Sequence, residues 1–300
     1  MIVSPLSKLV MNEIFQPYRD RVDENLKRFL DIKEIPAPLR EAMIYGVFNG
    51  GKRIRPLLVY MALDAFDGNI AHADATASAI EMIHAYSLIH DDLPAMDDDD
   101  LRRGNPTVHI KYDEATAILA GDALQARAIE LIADDESISA ETRIALIKLI
   151  THAIGPAGMV AGQSIDLAAE NKTISESELV NMHRRKTGDL ISASVMSGAL
   201  IAGVEDEMTQ CFSRFGYALG LAFQVRDDIL DETGDTNVMG KAQGSDQSNN
   251  KATFTSSHGL DYATAQLDSL RQQAIDALSP LGSNAQPLIM LANFVATRDH

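Results

Sequence analysis

Tryptophan is absent from these 300 residues, and cysteine occurs once, at Cys211. A single thiol rules out an internal disulfide. A domain of this length buries about 75% of its unfolded surface and needs no covalent staple. Long hydrophobic runs are missing too. Ile191–Val204 is mostly apolar, falls short of the ~20 residues a membrane helix needs, and runs into Glu205, Asp206 and Glu207. The N-terminus has no basic region followed by an apolar core, so no signal peptide is expected. A soluble cytoplasmic chain follows, with no membrane span. Positive charge is scarce: 26 Lys and Arg stand against 43 Asp and Glu, a net charge of −17. Nucleic-acid binding needs clustered cations on phosphate, so that class of partner is excluded.

Proline is also missing between Pro156 and Pro280. Long proline-free stretches rich in Ala, Leu, Ile and Met favour helix. Helical spacing predicts helices over 73–93, 114–133, 141–153, 176–203 and 206–231, with Ser175 and Glu178 forming a capping box. No convincing alternation of strand residues occurs, and there is neither a repeat nor a linker. The segment 232–259, rich in Gly, Ser, Asn, Asp and Lys, reads as a long mobile loop near the functional site. The expectation is a single all-α domain, residues 1–300.

What the chain has in excess is acid, and it is concentrated. One cluster runs Asp91-Asp92-Leu93-Pro94-Ala95-Met96-Asp97-Asp98-Asp99-Asp100; the other is Asp227-Asp228-Ile229-Leu230-Asp231. Asp227 and Asp231 stand roughly 40° apart around a helix, on one face, with Gln224 one turn earlier. Asp91 and Asp97 would fall on different faces of a straight helix, so Pro94 must end or bend it and bring Asp97 round. His84 lies two turns before Asp91 on nearly the same face. Either cluster alone reads as a solvated acidic surface. Two of them, each closing a long apolar helix, point instead to a hard divalent cation, because carboxylates packed this densely repel one another without one.

The cations that exist are also grouped. Gly50-Gly51-Lys52-Arg53-Ile54-Arg55-Pro56 puts three before a helix, although alone it reads as an ordinary basic loop. Arg102-Arg103-Gly104 follows the first acidic cluster. Arg184-Arg185-Lys186-Thr187-Gly188 interrupts a long helical pattern with two poor helix formers, so a kink is expected there, freeing backbone carbonyls. Lys241 and Lys251 lie in the soft segment. This supply suits two diphosphates, one bound through metal and one bound directly.

The ordered set GGKRIRP, DDLPAMDDDDLRRG, GQSIDL, RRKTGDL and FQVRDDILDETGD resembles the trans-isoprenyl diphosphate synthase family, over roughly residues 40–255, and is most like its bacterial farnesyl type. The resemblance implies an antiparallel helix bundle of the isoprenoid-synthase type around a deep central cavity, usually a homodimer. It implies a prenyltransferase joining isopentenyl diphosphate head to tail with dimethylallyl or geranyl diphosphate. Asp91, Asp97 and Asp227, with Asp228 and Asp231, would hold several Mg2+ ions on the allylic diphosphate, Mn2+ being able to substitute. Arg102, Lys186, Lys241 and Lys251 would contact that diphosphate. Lys52, Arg55, His84 and Arg103 would hold isopentenyl diphosphate, with Thr187 and Gln224 at the reacting centre. Gln163 and Asp166 fit a family motif, or only pin helices together.

Bulk before the first acidic cluster limits chain growth in this family. The resemblance nominates Tyr86, whereas an ideal helix puts Ser87 beneath Asp91 and Tyr86 roughly 140° away. Ordinary core is the other reading of Tyr86. Geranylgeranyl diphosphate synthesis is the alternative product. A terpene cyclase would not need Lys52, Arg55 and Arg103, and a non-catalytic synthase subunit would lack one of the two acidic motifs. The chain departs from its relatives at Asn250, where glycine is common. Its tail lacks their terminal lysine, leaving Arg298 as the cation to close over isopentenyl diphosphate.

Overall fold

The computed structural model describes residues 5–172, 174–234 and 252–298, with side chains from residue 13 onward. Helices α1 (Pro5–Leu30), α2 (Ala37–Val47), α3 (Ile54–Asp64), α4 (Asp74–Asp91), α5 (Val108–Lys111) and α6 (Glu114–Ala133) form the first half. Then come α7 (Ala140–Ile154), α8 (Met159–Ala169), α9 (Glu176–His183), α10 (Asp189–Ala202) and α11 (Asp206–Thr233). Three more helices follow: Phe254–His258, Leu260–Ala277 and Gln286–Thr297. The all-α expectation holds, with one small addition. Leu101–Arg102 pairs antiparallel with Asn105–Pro106 across a turn in which Arg103 (φ 55) and Gly104 (φ 78) are both left-handed. That is the geometry of a tight two-residue hairpin, and a ladder this short leaves no alternation in the sequence.

The caps explain where the helices start. Asp113 accepts the Thr116 N–H at the head of α6, and Ser139 that of Thr142 at the head of α7. Ser175 and Glu178 form the expected capping box on α9. α10 ends at Gly203 in the left-handed conformation. Ala140–Ala169 is apolar and long enough to cross a membrane by composition, but it is broken between Ile154 and Met159 into two helices of the bundle.

Of the five predicted helices only 114–133 keeps its bounds; α4 is trimmed, α7 gains a residue at each end, and the other two are divided or extended. The stretch 176–203 is α9, a π-helical turn over Arg184–Gly188, and α10. The wide turn is visible in the Asp189 N–H reaching back to the Arg184 carbonyl. α11 runs on to Thr233, and a short helix begins at Phe254, so both described ends of the soft segment are helical.

α4 packs along α6, and α10 lies between α3 and α11. Leu26, Ile80, Ile83, Leu124 and Ile150 centre one apolar cluster, and Leu57, Leu58, Val195, Phe212, Phe215 and Leu288 another. Fully burying a side chain such as Phe212 contributes about 1.5–3 kcal/mol. A third cluster, with Leu179, Val225, Ile229 and Phe254, secures the segment that re-enters after α11. Both acidic motifs sit at C-terminal ends of long helices, α4 and α11.

Candidate active site

α4 stops at Asp91, and the chain turns back on itself. The Asp97 N–H donates to the Asp91 carbonyl at 2.9 Å, and the Asp99 N–H to that of Asp92 at 3.2 Å. Pro94 therefore does what the spacing demanded and returns Asp97 to Asp91. Burial pushes the Asp91 carboxyl up from 3.8 to about 6; Lys186 opposes this, while Asp97 adds to it. Asp92 is used differently. It is buried, and Arg102 grips it with Nε at 2.7 Å and a second guanidinium nitrogen at 2.5 Å. Arg102 also stands 3.7 Å from Asp99, so it is tied to the acidic turn itself.

In the second motif Asp227 is the open carboxylate, its side chain 41% exposed, and Asp231 is half-buried. Asp228, expected beside them as a metal ligand, is buried. It accepts the Phe254 N–H at 2.8 Å and the Gln224 amide at 3.3 Å. Its carboxylate anchors the chain where it re-enters the bundle, with Phe254 stacked on His183. Thr187 and Gln224 do come together, the hydroxyl donating to Gln224 Oε1 at 3.3 Å. Thr187 is part of the π turn, and Gln224 comes to it from α11. A Cβ on Gly162 would lie 2.2 Å from the Lys186 nitrogen, so only glycine lets α8 approach it. On the same helix Asp166 holds Lys186 Nζ at 2.5 Å.

The basic residues gather around α4. His84 feels Arg55, Arg103, Arg102 and Arg53, and its pKa is well below the ordinary value, first through burial and then through those four charges. The imidazole is neutral at pH 7 and offers a hydrogen bond rather than charge. Arg55 is buried, with no partner for its Nε among the described residues. Burial pulls its pKa down to about 10, with Glu81 resisting, Arg103 adding to the fall and Asp227 raising it again. An arginine kept buried with a donor to spare is prepared for an anion. Arg103 reaches the Gly50 carbonyl; a Cβ on Gly51 would sit 2.7 Å from its guanidinium. Lys52 is half-buried in the same loop and its carbonyl accepts from Arg19 Nε at 3.3 Å.

Sequence reasoning missed the group that organises this corner. Arg53 is left-handed (φ 55) and buried, and pairs with Glu81 at 2.7 Å, Asp23 at 2.9 Å and the Val47 carbonyl at 2.9 Å. Glu81 is itself buried and lies near Arg55 and Arg103. Its place one turn before His84 on α4 was the available signal.

Residues 36–279 match the polyprenyl synthetase family. The chain belongs to that family. It is 45% identical over 297 residues to the farnesyl diphosphate synthase of Geobacillus stearothermophilus, covering 98% of this chain and 100% of that protein. To the Escherichia coli (strain K12) farnesyl diphosphate synthase it is 44% identical, over 93% and 96% of the two chains. The crystal structure of a geranyltransferase from Legionella pneumophila superposes with a TM-score of 0.85 at 36% identity, over 98% of each chain. The fold is thus the isoprenoid-synthase helix bundle.

In this synthetase Tyr86 is 6% exposed and meets His90 edge-on, the ring centroids 5.9 Å apart. Burial raises its phenol pKa to about 12, with Gln125 opposing and Asp91 adding to it. Ser87 donates to the His84 carbonyl at 2.9 Å. Lys241 and Lys251 lie outside the described residues. For a cation, the donor chemistry fits: Asp91 and Asp97 at one helix end, Asp227 and Asp231 at another, all oxygen. Among the described residues no three Asp, Glu, His or Cys side chains form a ready-made cage. Magnesium suits such a set, because it takes one or two carboxylates and completes its shell with water and phosphate oxygens.

Proposed function

We propose that this chain is a magnesium-dependent prenyltransferase that condenses isopentenyl diphosphate head to tail with dimethylallyl and then geranyl diphosphate, releasing diphosphate and giving (2E,6E)-farnesyl diphosphate. One observation carries the reading. Asp91 at the end of α4 feels Lys186 and Arg102, and the buried Arg55, whose Nε has no partner among the described residues, lies within electrostatic reach of Asp227 on α11. Two anions of different handling, side by side, are what a two-diphosphate condensation requires. A cyclase needs one.

Magnesium, or manganese in its place, would be held by Asp91, Asp97, Asp227 and Asp231 and would neutralise the leaving diphosphate. Lys186, Arg102, Lys241 and Lys251 contribute positive charge on that side. Lys52, Arg55, Arg103 and neutral His84 hold isopentenyl diphosphate directly. The allylic C–O bond breaks with its electron pair leaving on diphosphate, and the isopentenyl double bond attacks the allylic carbon. Gln224 Oε1 and carbonyls at the π turn stabilise the cation without capturing it. A proton then leaves to diphosphate, and no protein nucleophile is needed. Residues 1–300 act as one catalytic unit.

The product assignment rests on Tyr86. Incubating the purified protein with magnesium, isopentenyl diphosphate and geranyl diphosphate should give a C15 alcohol after dephosphorylation, and Tyr86→Ala should shift products to C20. A C20 product from the wild type favours the geranylgeranyl alternative. An unaltered product from Tyr86→Ala returns Tyr86 to the core, and no condensation at all overturns the prenyltransferase reading. A cytoplasmic homodimer completes the proposal. Ile118 and Leu119 on α6, Ile144 on α7 and Val160 on α8 are each more than 40% exposed, apolar surface that a second copy would cover. Sedimentation equilibrium at twice the monomer mass is the expected result.

A further inference from the structure

Arg298 is seated on the second acidic motif. Its side chain is 4% exposed and its guanidinium donates to Asp227 Oδ1 at 2.6 Å and to the Phe223 carbonyl at 3.2 Å. It lies over the Phe223 ring, 4.1 Å from the centroid. Its own backbone is fastened as well, the carbonyl accepting from Arg226 Nε at 2.8 Å and the N–H donating to the Phe294 carbonyl at 2.9 Å. A cation seated on all these sides cannot swing away by changing a rotamer. Asp227 is different, its side chain 41% exposed. One oxygen is occupied and the carboxylate still faces outward.

We propose that Arg298 is the positioning residue of the metal site: it fixes Asp227 through one oxygen so that the other is aimed at the divalent cation. This rests on the reading above that Asp227 binds metal. A carboxylate on an exposed helix face samples several rotamers, and a charge-assisted bond to a buried partner selects one. Partners of metal-ligating side chains commonly matter to affinity as much as this. The arrangement also explains why the tail ends its helix where it does. The helix Gln286–Thr297 stops one residue short, and Arg298 in extended geometry (φ −58, ψ 151) turns down onto α11.

The test is Mn2+ binding in the presence of inorganic diphosphate, read by electron paramagnetic resonance, in wild type, Arg298→Lys and Arg298→Gln. The KM for isopentenyl diphosphate and the melting temperature in EDTA are measured alongside. Arg298→Gln should weaken Mn2+ roughly ten- to a hundredfold. Arg298→Lys, which keeps the charge but not both bonds, should fall several-fold. The isopentenyl KM should stay within about twofold. If Arg298→Gln does not fold, Arg298→Lys carries the test. Wild-type Mn2+ binding in a folded variant overturns the inference, and a selective rise in the isopentenyl KM would give the tail the substrate-closing role instead. If the wild type binds no Mn2+ with diphosphate, the metal reading itself falls.

Discussion

Asp91→Asn should make the metal-free protein more stable while destroying its activity. Burial raises the Asp91 carboxyl from 3.8 to about 6, so folding disfavours its ionised form. A shift of about two units corresponds to roughly 3 kcal/mol. Asp91 is only half-buried, and solvent screening brings the usable figure down to about 1–2 kcal/mol. The sign follows from the raised value. The penalty is absent below the unfolded pKa near 4, grows as pH rises, and is complete above about 6. Asparagine keeps the shape without the charge, so in EDTA at pH 7.5 the variant should melt about 2–4 °C higher. At pH 5 the advantage should be roughly half as large. Adding magnesium and diphosphate should reverse the order, since the cation stabilises only the form that binds it. Calorimetry at the two pH values, with and without metal, decides. A variant less stable than wild type in EDTA at pH 7.5, or an advantage that grows as pH falls, refutes the reasoning.

Arg53→Met leaves Glu81 buried without its partner and should cost about 3–5 kcal/mol in urea unfolding, and a loss below about 1 kcal/mol would deny the pair its organising role. Lys52→Ala should raise the KM for isopentenyl diphosphate and leave that for the allylic substrate nearly unchanged; an unchanged isopentenyl KM removes Lys52 from the site. Asp228→Ala strands the buried Phe254 N–H, at a cost of about 1–3 kcal/mol, and should speed hydrogen exchange at that amide. Lost metal binding with a still-protected amide would make Asp228 a ligand after all.

Helical periodicity and caps were legible in the sequence because they are local. The bounds 114–133 of α6 are those expected, and the poor helix formers Thr187 and Gly188 do sit in the π turn. So was the return of Asp97, since Pro94 leaves few other routes. The helix Pro5–Leu30 was not, because it continues through Pro17, where a punctuation reading ends a helix. The role of Arg53 was hidden for another reason. In GGKRIRP it looks like its neighbours Lys52 and Arg55, and only the fold brings Glu81 and Asp23 to it. The direction of Arg298 depended likewise on a partner, Asp227, far away in the chain.

The two Asp-Asp pairs divide their labour in the same way. Neighbouring residues on a helix point roughly 100° apart, so two adjacent carboxylates cannot serve one site equally. At the end of α4, Asp92 is 3% exposed and paired with Arg102, while Asp91 is raised in pKa beside Asp97. On α11 Asp228 is 2% exposed and fastened to Phe254, while Asp227 is open. In each pair one carboxylate is spent on the protein, and what it holds is the next stretch of active-site chain: the turn with Arg102 and Arg103 in one case, the re-entry at Phe254 in the other. The remaining carboxylate is the one the proposed metal site would use: Asp91 carries a burial cost that Lys186 and Arg102 only partly offset, and Asp227 stays exposed beside Arg298. A sequence motif of consecutive aspartates thus encodes two functions at one place, and changing the first or the second residue of each pair should separate them, metal binding from one and local order from the other.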